Sequence, residues 1–277
     1  MSIDFSRTTA LLFVPGHRPD RFEKAAVASP GGVIIDLEDA VPPAQKNQAR
    51  SEVMRFLARA KRSAPLAVRL NPISTRPGLD DLAALADGNI PCDGILLAKV
   101  ESARDVELVR AHAPAIPILA AVETALGIHC ASDIARAMRP SDALGFGGAD
   151  LAADLGCAFS WEPLFPARGA LVQAAAIGRV GLFDVPLLDV ADIAALRIET
   201  ERVKALGFTG KLAIHPAQVP TIHSVFKPGA AEIERARRIV AALEAADGGA
   251  AQLDGKMIDL PVALSARRTL ALLEDNS

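Results

Sequence analysis

Aromatic side chains are scarce in this chain: 4% of its 277 residues, with one Trp and no Tyr. Surfaces that stack nucleobases need such rings. No long single-sign run compensates, since the formal net charge is -3, so no nucleic-acid partner is expected. Cysteine is scarce too. Cys92, Cys130 and Cys157 are widely spaced and odd in number, which argues against a disulfide scaffold or a zinc site and fits a reducing cytoplasm. Their expected role is that of small buried hydrophobes. No stretch reaches the roughly 18 uncharged apolar residues of a membrane span, and Met1–Arg7 has no apolar signal core. The chain has no HExxH helix, P-loop or GxSxG elbow. Gly145-Phe146-Gly147-Gly148 begins like a dinucleotide turn. Asp150, however, stands where its third glycine belongs, and the segment follows the sixth strand candidate rather than the first.

What the chain has in quantity is apolar surface, 51% of its residues. That suffices for one large core, and a single barrel commonly takes this length. Short apolar runs alternate with longer amphipathic ones. Strands are predicted at Thr9–Val14, Val33–Leu37, Leu66–Leu70, Gly94–Val100, Ile116–Val122, Ala143–Phe146, Val185–Val190 and Lys211–Ile214. Helices are predicted at Arg18–Ala28, Gln45–Arg62, Leu79–Ala86, after Ser102, at Ala125–Met138, Leu151–Leu155 with Pro166–Gly178, Ile193–Leu206 and Ala217–Phe226. Val53, Phe56, Leu57 and Ala60 show the i, i+3, i+4, i+7 spacing of a helix. Ser102 with Asp105 forms an acidic variant of the capping box; Asp192 caps and Gly207 stops one helix.

The strands are apolar on both faces, as strands covered by helices must be. Spacings of about 25 to 35 residues suit βαβ units. The expected fold is α/β, a (β/α)8 TIM barrel over residues 1–228. A doubly wound sheet is the alternative, disfavoured by eight regular repeats without a Gly-rich first turn. Residues 229–277 read as a C-terminal helical extension. It holds a helix at Ala230–Ala246, a loose Asp247–Gly255 linker and a last segment, Lys256–Leu273. No second core is visible there, so it is expected to pack on the barrel or on a neighbouring subunit.

Barrels place their chemistry at the C-terminal ends of strands, and polar groups cluster at those positions here. Strand two runs into Asp36, Glu38 and Asp39, strand three carries Arg69 and Asn71, and strand four carries Lys99 and Glu101. Strand five ends on Glu123, strand six on a Gly-rich turn with Asp150, and strand eight on His215. Neighbouring strands lie about 4.8 Å apart, so Glu123 and Asp150 can reach one cation. Mg²⁺ takes one or two carboxylates plus waters and substrate oxygens; the competing role for either acid is helix capping. Arg69, inside an apolar strand, needs a partner or a polar cavity. Its fork matches a carboxylate, from a substrate, from Asp36 or Glu38, or from both. Asp36, Glu38 and Asp39 cannot all face the barrel interior. Lys99 stands where a Schiff-base lysine would, but the acids around it raise its pKa, which favours an ion pair at the mouth.

The segments LLFVPGHRPDRFEKA, IIDLEDAV, VRLN, LLAKVES, VETALGI, GFGGADL and GKLAIHPAQV, in that order, resemble the citrate lyase β-subunit-like family. That group comprises the Mg²⁺-dependent malyl-CoA, citramalyl-CoA and citryl-CoA lyases of the HpcH/HpaI aldolase superfamily. The resemblance covers about residues 7 to 273, nearly the whole chain, and IDLEDAV together with IHPAQ is its specific part. It implies a carbon–carbon lyase that cleaves a 3-hydroxy-3-carboxyacyl-CoA to acetyl-CoA and a 2-oxo acid. It also implies Mg²⁺, an acyl-CoA thioester as the bound partner and a trimeric or hexameric homo-oligomer in the cytoplasm. By position, Glu123 and Asp150 correspond to the metal ligands and Arg69 to the arginine holding the keto-acid carboxylate. Glu38 corresponds to an acid behind that arginine and the metal waters. Arg18 and Lys24 fall where positive charges meet the CoA phosphates, with Phe13 close by. Asp259 falls on an acid contributed from the C-terminal segment into a neighbouring subunit's site, where it would serve as general base. Ala98 replaces the usual proline before the lysine, and His17-Arg18 replaces a small polar pair. The alternatives are a citrate lyase β subunit acting on a citryl-carrier protein, a CoA-independent 2-oxo acid aldolase and a non-catalytic assembly subunit.

Overall fold

Eight parallel strands close on themselves in chain order in the computed structural model, which describes residues 2–29, 31–59, 63–87, 91–246 and 249–274. They are β1 (Ala10–Pro15), β2 (Val33–Asp36), β3 (Leu66–Leu70), β4 (Gly94–Leu97), β5 (Ile118–Val122), β6 (Ala143–Phe146), β7 (Gly181–Asp184) and β8 (Gly210–Ala213). β1 pairs with β8, which closes the barrel and excludes the open doubly wound sheet. The surrounding helices are α1 (Phe22–Ala28), α2 (Lys46–Leu57), α3 (Arg76–Asp87), α4 (Ala103–His112), α5 (Ala125–Arg136), α6 (Gly148–Leu155), α7 (Trp161–Gly178), α8 (Ile193–Leu206) and α9 (Gln218–Phe226). No described helix is long and apolar enough to cross a membrane.

The barrel interior is filled from below by Phe5, Leu11, Ile34, Ala67, Leu96, Leu119, Ala143, Phe183 and Leu212. Phe5 meets Phe183 edge to face, with centroids 6.5 Å apart. Gly94 makes room for it: a Cβ there would lie 2.6 Å from the Phe5 ring. With the floor sealed by apolar contacts, the opposite mouth is where polar groups from inward positions can gather.

The element boundaries depart from expectation where proline and turn chemistry intervene. Val185–Val190 is not strand seven. β7 lies earlier, at Gly181–Asp184, and Pro186, with no N–H to give a ladder, belongs to the loop that follows. α7 begins at Trp161, so Pro166 lies inside the helix rather than at its start. α2 starts at Lys46, behind a 3-10 turn at Pro43–Gln45. It ends at Leu57 with Ala58 as its C-cap, short of the expected Arg62, and residues 60–62 lie outside the described residues. Asp192 caps α8 by accepting the Ala195 N–H at 2.8 Å, and Gly207 ends it at φ 113°.

Behind the barrel wall, α7, α8, β7 and β8 share an ion network. Asp184 accepts from Arg168 Nε at 3.0 Å and from Lys211 Nζ at 2.5 Å, and Lys211 also reaches Glu199 at 2.6 Å. Asp184 and Lys211 are fully buried. Asp184→Ala would leave two buried cations short of their shared acid. The expected loss of stability is about 3–5 kcal/mol, read as a lower urea midpoint at unchanged slope.

The chain divides into two compact units, Met1–Ser224 and Val225–Ser277. In the second, α10 (Ala230–Ala245) and α11 (Leu260–Glu274) accompany a hairpin of β9 (Ala251–Leu253) and β10 (Lys256–Ile258). Ala236, Ile239, Leu243, Ile258, Ala263 and Ala266 form a small core of their own. Both the missing second core and the loose linker are thereby corrected. The turn residues Asp254 and Gly255 have φ of 50° and 74°, as a two-residue Asp-Gly hairpin turn requires. That dipeptide is the sequence signal for the hairpin. Asp247 and Gly248 of the expected linker lie outside the described residues.

Candidate active site

β2 and β3 build one wall of the mouth. Their register sets Asp36 beside Arg69. The guanidinium grips that carboxylate with both ends of its fork, Nε to Oδ1 and Nη2 to Oδ2, each at 2.6 Å. Asp36 accepts two more bonds, from the N–H groups of Glu38 (2.8 Å) and Ala40 (3.1 Å). Arg69 Nη1 meets Glu38 Oε2 at 2.7 Å. Both acids therefore partner Arg69. Asp39 is exposed and stands off at 3.5 Å. Burial works against the charged guanidinium, but the bonds and charge of Asp36 hold its pKa above the ordinary value. Lys46, from α2, staples the loop behind these acids by donating to the carbonyls of Leu37 and Glu38 and to Asn71 Oδ1. The pairing of Arg69 with Asp36 and Glu38 follows the sequence expectation; the Lys46 staple was not visible in the sequence.

Glu123 stands one residue beyond β5 and is 4% exposed. Its Oε1 accepts the Lys99 N–H at 2.8 Å. The capping alternative for Glu123 does not hold. Thr124 caps α5 by accepting the Gly127 N–H, and Asp154 accepts the Ala125 N–H. Burial, then the charges of Asp150 and Glu38, push the Glu123 carboxyl up to about 8. Asp150 lies in the first turn of α6, whose N-cap is Gly147. Lys99 Nζ reaches Glu38 Oε1 at 2.7 Å and Asp150 Oδ1 at 3.5 Å. Burial disfavours the ammonium, but the hydrogen bond and charge of Glu38 hold its pKa above the ordinary value. A protonated, paired lysine is no Schiff-base nucleophile.

A cavity of about 90 Å³ opens between these groups, lined by Phe13, Arg69, Glu123, Gly147 and Asp150, with Val185 and Pro186 opposite. The Phe13 ring centroid lies 5.2 Å from the Arg69 guanidinium carbon. Thus Phe13, Arg69, Glu123 and Asp150 share one cavity, and Glu38 sits directly behind them. Arg18 is not at this cavity: its fork is held by Asp20 at 2.9 and 2.8 Å on the exposed turn after β1. Lys24 is exposed on α1. Asp259 belongs to the second unit, where its backbone and side chain accept the N–H groups of Ala263 and Val262 at the head of α11. His215 is exposed.

The mouth suits a small hard cation. Its carboxylates outnumber its cations, and burial penalises the charge on Glu123. Among the described residues no three His, Cys, Asp or Glu side chains form a cage. A two-carboxylate site instead leaves positions to waters and substrate oxygens, which is the habit of Mg²⁺. Gly147 keeps this site open. A Cβ there would lie 2.3 Å from both Cβ and Oε2 of Glu123. Gly147→Ala, at an ordinary φ of -93°, should therefore push the whole Glu123 side chain, with the end of β5 that carries it, out of place. We expect catalytic activity to fall by about a hundredfold, the usual effect of an ångström-scale misplacement. The thermal midpoint in EDTA should fall modestly while the Mg²⁺-induced thermal shift disappears.

The sequence profile of the HpcH/HpaI aldolase/citrate lyase family matches residues 9–216. A (3S)-malyl-CoA thioesterase from Cereibacter sphaeroides is 37% identical over 272 residues, covering 96% of this chain and 94% of that protein. A citrate lyase subunit beta-like protein from Mycobacterium tuberculosis is 37% identical over 273 residues, covering 94% and 93%. The crystal structure of the Mycobacterium tuberculosis protein CitE in complex with magnesium, acetoacetate and coenzyme A superposes with a TM-score of 0.81. It shows 32% identity and covers 95% of this chain and 97% of that one.

Proposed function

This chain belongs to the HpcH/HpaI aldolase/citrate lyase family, and we propose that it is a Mg²⁺-dependent carbon–carbon lyase. Its substrate would be a 3-hydroxy-3-carboxyacyl-CoA such as malyl-, citramalyl- or citryl-CoA, and its products acetyl-CoA and a 2-oxo acid. One observation carries the reading. A bidentately braced arginine and two carboxylates line the same small cavity. That set matches a 2-hydroxy carboxylate, whose two oxygens suit a cation and whose carboxylate suits the guanidinium N–H groups that Asp36 and Glu38 leave over.

Glu123 and Asp150 would hold the cation. When bound, Mg²⁺ supplies Lewis-acid polarisation of the substrate's hydroxyl and emerging carbonyl oxygens. Arg69, locked by Asp36 and Glu38, would receive the carboxylate in a fixed orientation. Phe13 and the Val185-Pro186 segment wall the cavity with apolar surface, which limits the room beyond the 2-oxo acid. Arg18 and Lys24 would meet CoA phosphates from the exposed side. Asp259 would exchange the α-proton of the acetyl group as general base, contributed by a neighbouring copy in a cytoplasmic homo-oligomer. Asp259→Asn should then lower turnover about a hundredfold, within the range for a lost general base, with Mg²⁺ affinity unchanged; an unchanged rate removes Asp259 from the reaction.

Thioester hydrolysis is the second reading, favoured by the malyl-CoA thioesterase among the relatives. Product analysis separates the two. Malyl-, citramalyl- and citryl-CoA would each be incubated with and without Mg²⁺, alongside a free 2-oxo-3-deoxy acid. Acetyl-CoA with a 2-oxo acid supports the lyase, and free CoA with the intact hydroxy acid supports hydrolysis. Turnover of the free acid alone points to a CoA-independent aldolase. A citryl-carrier substrate would appear as cleavage of citryl-pantetheine without cleavage of any CoA ester. No product from any of them rejects the enzyme reading.

A further inference from the structure

Lys99 meets three carboxylates of the mouth. Its N–H holds Glu123 at 2.8 Å, and its ammonium reaches Glu38 at 2.7 Å and Asp150 at 3.5 Å. One residue can do this only because its backbone is left-handed, at φ 50°. In a continuing strand, the side chain after buried Ala98 would point away from the interior. The left-handed turn brings both N–H and ammonium to the mouth.

That conformation costs free energy that glycine would avoid. Among the described residues, the other non-glycines with positive φ are Arg179 and Asp254. Arg179 caps the end of α7 and Asp254 turns the hairpin. Lys99 does neither. A glycine would keep the N–H bond to Glu123 without strain, so what the strained residue adds is the ammonium. Held strain of this kind points toward function.

We propose that Lys99 is a positioning residue that serves as the mouth's resident counter-ion, holding Glu38 and Asp150 in the metal-free chain and yielding Asp150 when the metal arrives. The proposal rests on the Mg²⁺ reading of the same site. Its ammonium then has two opposed effects. It stabilises the cluster of acids without metal, and it competes with the dication for Asp150 while repelling it. A merely structural lysine would show only the first.

The test is calorimetric titration of the full-length chain with MgCl₂, with thermal midpoints taken in EDTA. Lys99→Met should bind Mg²⁺ at least about fivefold more tightly, the low end of coupling between linked sites, and should melt at a lower temperature without metal. Lys99→Gly, which also removes the backbone strain, guards against misfolding and should tighten binding likewise. Lys99→Arg, which keeps the charge, should retain the original affinity. Binding that is unchanged or weakened in both Lys99→Met and Lys99→Gly, beside normal binding by the unsubstituted chain, overturns the role of Lys99 alone. Absence of Mg²⁺ binding by the unsubstituted chain overturns the metal reading together with it.

Discussion

Glu123→Ala and Asp150→Ala are each expected to lower kcat/KM for Mg²⁺-dependent cleavage by at least about a thousandfold, or roughly 4 kcal/mol of transition-state stabilisation. The loss should exceed the roughly 10–100-fold cost of removing a partner behind a metal ligand. Among the described residues the carboxylates lining the cavity are those of Glu123 and Asp150, so neither can be spared. The isosteric Glu123→Gln separates this from a folding defect. Burial and the neighbouring acids make a charged Glu123 unfavourable in the metal-free chain. A neutral amide should therefore leave the thermal midpoint in EDTA unchanged or raise it, a familiar exchange of function for stability. It should also abolish the Mg²⁺-induced shift. Full activity of either alanine variant in EDTA would remove the metal role from both residues.

The second large effect is expected at Arg69. Arg69→Lys keeps a positive charge but loses the planar fork that spans both oxygens of Asp36, and a point charge cannot replace a bidentate grip. We expect kcat/KM to fall by about a hundredfold or more, consistent with losing 2–5 kcal/mol from a truncated charge pair. In the condensation direction the loss should fall mainly on the KM of the 2-oxo acid. Arg69→Met goes further by leaving Asp36 and Glu38, both under 5% exposed, without their shared cation. The expected destabilisation is about 3–5 kcal/mol. An Arg69→Lys enzyme with an unaltered KM for the 2-oxo acid would take Arg69 out of substrate binding and leave it a purely structural partner of Asp36.

The repeat was legible because each strand must bury both faces while each helix buries one. That requirement writes a continuous apolar run and then a 3.6-residue stripe, eight times over. The strand exits were legible for a related reason: an ionisable group directly after an apolar run, as with Glu123, needs a polar destination. Errors fell where local chemistry competes with the pattern. Val185–Val190 looks like a strand by composition, yet Pro186 cannot join a ladder and β7 ends at Asp184. Asp254-Gly255, the clearest turn signal in the tail, closes a hairpin where composition alone suggests loose chain.

Spacing, composition and ordered motifs were thus enough for the closed barrel and for placing Arg69, Glu123 and Asp150 at strand exits of one mouth, because periodicity and position along a strand are one-dimensional properties. The folded chain alone decided how those residues are held. Asp36 as the fork's anchor, Lys99 turned left-handed to meet three acids, the bare Cα of Gly147 against Glu123 and the buried Arg168–Asp184–Lys211 network all join residues distant in sequence. Their energies depend on ångström distances and on exclusion of water, which arise only when the strands close and the helices cover them.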